Sequence, residues 1–500
     1  MKPSKFVWAL AQQDKDSRAH FAEPLGGILD LVIVRRITEP MIAQCAYFVA
    51  CPRTRQAILV DPVRDSLRYG EIAKEIGITI NAVLETHAPS DYVSGVVEML
   101  TAHPAHAFLS GETDPPQWYV RDQSRWESQV TFLKDGATFS LGDLQVRALL
   151  TPGHAEGALS ISIEHEVSGM HVLLTGDALL AGGAGRTNAE DAEKLRDSLQ
   201  RFAKFSDQTI VLAGHRSGSA CGRALNLPGE TTLGIERRFN PVLRVVGSAD
   251  EFAAVICARQ PERPAYFSRM EDLNQLESPT LMRELSEPPE LERNLFLQRL
   301  SFPGTVSIDT RPWSKFTFDG VEGALHVPLD RDFAPIVAGA VAGDERVVFI
   351  CARSQVGDIT RTLHLVGIDA IDGWISDVEY AKIDREVMTL SEIDDISQHA
   401  ARRKHQEGEA IFLDVRTTAE WLRGRIAGAK LMTLTQIPEQ INQIPRGKCV
   451  IAYCAAGGRS ARAGAYLRRN GIDCATLKGG YWPWFGRDFP VDGADRPFRT

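Results

Sequence analysis

The chain has 500 residues and a formal net charge of −9, with 44% hydrophobic and 24% charged residues. That is the composition of a globular protein too long for a single core, so about two to four domains are expected. The acidic balance argues against nucleic acid or an anionic membrane as main partner, and no apolar run approaches the ~20 residues of a membrane span.

The start, "MKPSKFVWALAQQDKDSRAHF", breaks its short apolar patch with Gln, Asp and Lys. Residues 1–27 therefore read as a polar extension rather than a secretory signal. Short apolar runs then alternate with turns and predict strands: "LDLVIVRRI", "CAYFVAC", "QAILVDP", "INAVLETH", "VRALLTPGH", "ALSISIEHE", "MHVLLTGD" and "QTIVLAGH". Several end on ligand-type residues, as in folds where loops at one sheet edge carry the site. Near Phe239 the pattern stops, and a unit with the Pro/Glu-rich insert "LESPTLMRELSEPPELER" follows. From Ser301 two passages resemble each other. "TVSIDTRPWSKFTFDGVEGALHVPL" corresponds to "AIFLDVRTTAEWLRGRIAGAKLMTL", and "RVVFICARSQVGDITRTLHLVGIDAIDGW" to "KCVIAYCAAGGRSARAGAYLRRNGIDCATLKGGYW". A repeat of about a hundred residues is a duplicated domain rather than a solenoid unit. Strand–helix–strand alternation in each copy predicts a parallel α/β sheet. The expected domains are 28–240, 241–386 and 387–500. The eight cysteines are scattered without a CxxC pair, which fits a reducing cytoplasm rather than a disulfide framework.

His87 and Asp91 lie in "LETHAPSDYVSG", His154 in "TPGH", Asp177 in "TGD" and His215 in "AGH". These motifs, in this order over residues 28–240, resemble the metallo-β-lactamase fold, an αββα sandwich that also houses glyoxalase II. "TGDALLAGGAGRTN" resembles the TGDxLFxGxxGRTD segment of glyoxalase II and persulfide dioxygenases. "GSACGRALNLPGETTLGIERRFN" resembles the bacterial persulfide dioxygenases fused to rhodanese domains. The resemblance implies a first turn of the form Thr-His-x-His-x-Asp-His, and two positions depart from it. Pro89 has no donor atom, and Tyr92 is a poor ligand as a neutral phenol with pKa near ~10. His87, His154 and Asp177 survive. Two imidazoles and one carboxylate with open positions is the ligand set of non-haem Fe(II) oxygenases.

By the same resemblance, persulfide dioxygenases hold a single Fe(II) with these three positions. Asp91 and His215 then orient the ligands from behind, and Arg186 matches the family arginine beside the thiol substrate, able to grip a carboxylate bidentately. Two alternatives stand beside this: a domain that keeps the fold without a metal, and a zinc thioester hydrolase of glyoxalase II type. Cys221, in "GSACG", is read as a reactive thiol close to the site rather than a buried small apolar residue.

In the last copy, "VIAYCAAGGRSARAG" is a buried strand ending at Cys454, a small-residue loop, and a helix beginning near Ser460. Backbone N–H groups of Ala455, Ala456, Gly457 and Gly458 can form an anion nest, with Ser460 at the helix start. Nest and helix N-terminus favour a thiolate nucleophile, and Arg459 can reach back to an oxyanion such as sulfite or thiosulfate. This resembles the rhodanese loop CxxGxRS. "LDVRTTAEWLRGRIAGA" resembles DVRxxxEWxxGHIxGA, with Arg425 in place of the usual His, and "LKGGYWPWFGRDFPV" resembles the GGxxxWxxxGxPV ending. A Cys-phosphatase shares the Cys…Arg cradle but needs a loop longer by one residue. The middle copy places Val356 where the arginine belongs, in "CARSQVGD", so Cys351 is expected to be inactive. Cys45, Cys51, Cys257, Cys449 and Cys474 are read as packing residues.

The expected fold is thus α/β: a metallo-β-lactamase αββα sandwich followed by two rhodanese-like parallel domains. The expected enzyme is a cytoplasmic persulfide dioxygenase and sulfurtransferase with one Fe(II) per chain, or zinc or no metal in the alternatives. Its partners would be a low-molecular-weight thiol persulfide, O2, sulfite and thiosulfate, without nucleic acid or membrane. The persulfide carrier and any homo-oligomer are left open.

Overall fold

The computed structural model describes residues 31–113, 128–165, 170–225, 230–258, 260–275, 280–391, 393–487 and 489–493. The extension assigned to residues 1–27 lies outside them. The chain divides into two compact units, residues 1–263 with 267–286, and residues 264–266 with 287–500. Among the described residues no helix is long and apolar enough to cross a membrane.

The first unit holds two six-stranded sheets. In one, Ile33–Glu39, Gln44–Ala50, Gln56–Val60, Thr79–Leu84, His106–Ser110 and Val130–Leu133 lie in chain order, antiparallel at first and parallel from the third strand on. The other runs Glu230–Thr232, Ile210–Ala213, Met170–Gly176, Leu159–His165, Leu144–Leu150 and Thr138–Leu141, with 170–176 and 210–213 parallel. Side chains alternate faces along a strand, and Met170–Gly176 shows what that does here. Val172 and Leu174 join Val49, Ile58, Leu84, Ile161 and Ile163 between the sheets. Leu173 faces the opposite way, toward Leu195 and Leu199 of the helix Ala192–Gln200. Helices Ser66–Ile76 and Val96–Ala102 lie against Thr79–Leu84 of the first sheet. The layers are therefore helix, sheet, sheet, helix.

Helices Pro241–Arg244 and Ala249–Cys257 put Val242, Phe252 and Ile256 into the cluster around Leu173 and Leu195. These helices thus pack onto the first unit, which runs to residue 286 apart from 264–266, past the boundary expected near 240.

The second unit contains two parallel sheets. One orders Leu325–His326, Thr305–Asp309, Arg346–Cys351 and Ile371–Ser376. The other orders Asp394–Ile396, Cys474–Leu477, Cys449–Tyr453, Ala410–Asp414 and Lys430–Leu431. The repeat read from sequence reappears as geometry. Arg311 Nη2 donates to Asp309 Oδ2 at 2.6 Å in one copy, and Arg416 Nη2 to Asp414 Oδ2 at 2.6 Å in the other. Each guanidinium lies over a tyrosine, Tyr380 at 4.2 Å and Tyr481 at 4.3 Å. A buried arginine needs both a carboxylate and a polarisable face to offset its lost hydration.

Candidate functional site

His87 follows the strand Thr79–Leu84, His154 follows Leu144–Leu150, Asp177 follows Met170–Gly176 and His215 follows Ile210–Ala213. The C-terminal ends of these four strands, one in the first sheet and three in the second, bring these side chains together. Close approach requires glycine there: a Cβ on Gly185 would lie 2.1 Å from the Asp177 carbonyl oxygen and 2.9 Å from the His154 ring.

His87 Nε2 lies 3.9 Å and His154 Nε2 3.4 Å from Asp177 Oδ2, and the three donor atoms are all within 4.8 Å of one another. Their other ring nitrogens are engaged. His154 Nδ1–H donates to the Arg186 carbonyl at 2.8 Å. The Thr86 hydroxyl donates to Asp61 Oδ2 at 2.9 Å and stands 2.9 Å from His87 Nδ1, whose proton it accepts. Both imidazoles therefore turn an Nε2 lone pair toward Asp177. Burial holds His87 down to about 4 and lowers His154, so both rings are neutral at physiological pH. Burial alone would push the Asp177 carboxyl up, but His215 and the two imidazoles hold it well below the usual range. Neutral imidazoles and an ionised carboxylate fit a divalent cation, whose ligands at ~2.1 Å stand about 3.0–3.4 Å apart.

Asp91 and His215 sit behind this centre. His215 Nδ1 bonds Asp177 at 2.8 and 2.9 Å, and its Nε2 bonds Asp91 Oδ2 at 2.9 Å. Burial opposes its protonation, yet the two carboxylates raise it well above the ordinary histidine value. An imidazolium between Asp177 and Asp91 has no lone pair to offer a metal. Cys221 clusters with Asp91 and His215, so it is close to the centre as expected. Burial first, then Asp91 and Asp177, push its thiol well above the ordinary value. It is not a reactive thiol here.

Cys454 follows the strand Cys449–Tyr453 and precedes the helix Gly458–Arg469. The Gly457 N–H, at φ +110°, donates to Cys454 Sγ at 3.1 Å, and the Ser460 hydroxyl lies 3.8 Å from the sulfur. Ala455, Ala456 and Gly458 complete the loop. Its far side is held by the GGYW turn, where Tyr481 N donates to the Cys454 carbonyl at 2.7 Å and Trp482 N to the Ala455 carbonyl at 3.3 Å. Arg459 is held too: its guanidinium forks onto Glu420 at 2.6 and 2.7 Å. Arg425 lies over the Trp421 ring at 4.6 Å. Cys351, in the middle copy, is fully buried at a strand end. Burial, Asp377 and Glu290 push its thiol up to about 12, and the turn Arg353–Gln355 replaces the glycine loop.

A family model described as the metallo-beta-lactamase superfamily matches residues 43–215, and one described as a rhodanese-like domain matches residues 397–486. The chain carries a metallo-β-lactamase-fold domain followed by a rhodanese-like domain. A hydroxyacylglutathione hydrolase of Gloeobacter violaceus is 31% identical over 161 residues, 32% of this chain and 59% of that protein. A hydroxyacylglutathione hydrolase of Glaesserella parasuis is 27% identical over 221 residues, 39% of this chain and 86% of that protein. The solved structure of a metallo-beta-lactamase from Staphylococcus aureus superposes with a TM-score of 0.61 at 24% identity, over 69% of this chain and 99% of that one.

In the metallo-β-lactamase-fold domain, Arg186 bonds both neighbours of the centre through its backbone, His154 through its carbonyl and the Cys221 carbonyl through its N–H at 2.6 Å. Its guanidinium lies over Phe267 at 5.7 Å, and its Nε has no hydrogen-bond partner. Tyr92 is buried, which raises its phenol far above the ordinary value and keeps it neutral. Sequence motifs missed Asp61 and Thr86, which hold His87, although both stand in or beside quoted strands. They also missed Phe267, Glu271 and Asn274, for which no local signal exists.

Proposed function

We propose that the first domain oxidises a low-molecular-weight thiol persulfide with O2 to sulfite at a single Fe(II) held by His87, His154 and Asp177. Cys454 then carries a sulfane sulfur to that sulfite. The first step balances as RSSH + O2 + H2O → RSH + sulfite + 2 H+; the sulfur is oxidised and both oxygen atoms are reduced. In the second, the Cys454 thiolate takes the outer sulfur of another RSSH, releasing RSH, and the new S–S bond breaks as that sulfur bonds to sulfite, releasing thiosulfate and the Cys454 thiolate.

The observation that carries this reading is the surviving triad: two Nε2 lone pairs and one carboxylate oxygen converge although Pro89 and Tyr92 replace two imidazoles. Fe(II) in such a ligand set supplies redox chemistry at open coordination positions. The chain's own groups do the rest. His215, between Asp91 and Asp177, fixes the carboxylate, while the half-buried Arg186 guanidinium presents an anion site for the carrier. At the second site the Gly457 N–H and the helix start stabilise a sulfur anion, and Arg459 brings positive charge to the loop mouth.

A second reading, thioester hydrolysis, is favoured by the names of the hydroxyacylglutathione hydrolases. Pro89 and the buried neutral Tyr92 weaken it, because both remove donors that a two-metal hydrolytic site would use. Metal analysis of protein purified without oxygen separates the readings. About one iron per chain is expected, with O2 uptake that requires a persulfide and disappears in His154→Ala. Full uptake by metal-stripped protein would overturn the assignment, and zinc with thioester turnover would favour the hydrolase.

A further inference from the structure

The turn that carries His87 and Asp91 is held from outside by a segment roughly 180 residues away in sequence. Asn274 is buried, and one side chain makes three bonds to that turn. Its Nδ2 donates to the carbonyls of Pro89 and Tyr92, each at 2.8 Å, and its Oδ1 accepts from the Ser94 N–H at 2.8 Å. One helical turn earlier, Glu271 Oε1 accepts from the Ser90 hydroxyl at 2.9 Å, while its Oε2 pairs with Arg263 at 2.7 Å. Beyond Asn274, the Met282 N–H donates to Glu98 in the helix that follows the turn, at 2.9 Å. The helix Tyr266–Leu273 also supplies Phe267, over which Arg186 lies.

We infer that Asn274 is a positioning residue for the candidate metal centre, fixing the backbone of residues 89–94, which follows His87 and carries Asp91. A histidine at position 89 would tie this turn to a metal through its own imidazole. Proline has no such donor and contributes no N–H, so the turn's free carbonyls must find an outside partner. The two N–H groups of one primary amide meet the two carbonyls, and its oxygen meets the nearby N–H. The inference rests on the metal-centre reading for its functional consequence, while the strap itself is a matter of backbone protection.

Asn274→Asp tests it, because the shape is kept while the NH2 that supplies both donors becomes one carboxylate oxygen facing two carbonyl oxygens. Asn274→Ala removes the bonds without that repulsion. In metal-free full-length protein, amide exchange over residues 87–95 is expected to quicken about tenfold or more in Asn274→Asp. Co(II) loaded in place of iron is expected to bind about tenfold or more weakly with a shifted visible spectrum, while thiocyanate formation at Cys454 stays within about twofold. Asp should be at least as harmful as Ala. If Ala is harmful and Asp behaves as the parent, the residue only fills space and the inference fails. Faster exchange with unchanged Co(II) affinity and spectrum would also overturn the positioning role. A parent protein that takes up no divalent metal would sink the metal reading instead, and the exchange comparison would still decide the strap. Should Asn274→Asp fail to fold, Glu271→Gln, which weakens both the Ser90 bond and the Arg263 ion pair, is expected to move exchange and affinity the same way by a smaller factor. No movement in that variant would count against the inference.

Discussion

Pro89 sets the number of ligands the first turn can offer. In the structure its ring replaces a donor, while its carbonyl is taken by Asn274, so the position serves the backbone rather than a metal. Pro89→His is therefore expected to leave Fe(II) stoichiometry near the parent value and to add affinity for zinc, read by competition between the two metals. If the histidine instead switches on persulfide-dependent O2 uptake absent from the parent, the natural centre is a decayed one. His215 makes the same point with charge. Its protonated form is favoured by the two carboxylates that it bridges, Asp177 and Asp91. Motif spacing identifies His215 as a site residue, but its role depends on Asp91, 124 positions away in the chain.

At the scale of elements, the strand–loop–helix around Cys454 is built from near neighbours, with two distant partners, the GGYW turn and Glu420. Arg459 is read from the loop motif, whereas Glu420 comes from the helix Thr418–Leu422. Burial alone would push the Glu420 carboxyl up, but the Arg459 fork and the Thr417 bonds hold it down to about 2 from an ordinary 4.5. A carboxyl lowered on folding stabilises the native state above its unfolded value. That contribution is full above about pH 4.5 and is lost as the pH falls toward 2. Glu420→Gln should thus be less stable than the parent near neutrality, with the gap in urea midpoint closing between pH 4.5 and 2. The gap is expected to be modest because the pair is partly solvated. An undiminished gap at pH 2 would mean that the glutamate acts through packing rather than charge.

At the scale of the whole molecule, the proposed function puts two chemistries on one chain, each with its own residues. Persulfide-dependent O2 uptake is expected to persist in Cys454→Ser while the product changes from thiosulfate to sulfite. Thiocyanate formation from thiosulfate and cyanide should vanish in that variant and survive in Cys351→Ser, whose thiol is buried and pushed up to about 12. Loss of O2 uptake in Cys454→Ser would mean that sulfur passes through Cys454 first, reversing the proposed order.

Features made by short-range pattern were legible in the chain itself. The strand-end residues His87, His154 and Asp177, the Cys454 loop and the repeated Asp-x-Arg pairs all combine strand periodicity with a turn of a few residues, and local sterics suffice to place them. Tertiary structure alone decided the rest. It assigned helices 241–257 to the first unit because their apolar residues complete the cluster around Leu173. It made His215 an imidazolium by closing two carboxylates on it, paired Arg459 with Glu420, and brought Asn274 to the Pro89 turn. Each of these is a contact between groups far apart in sequence. Their burial, charge and hydrogen-bond partners exist only once the chain has closed around them.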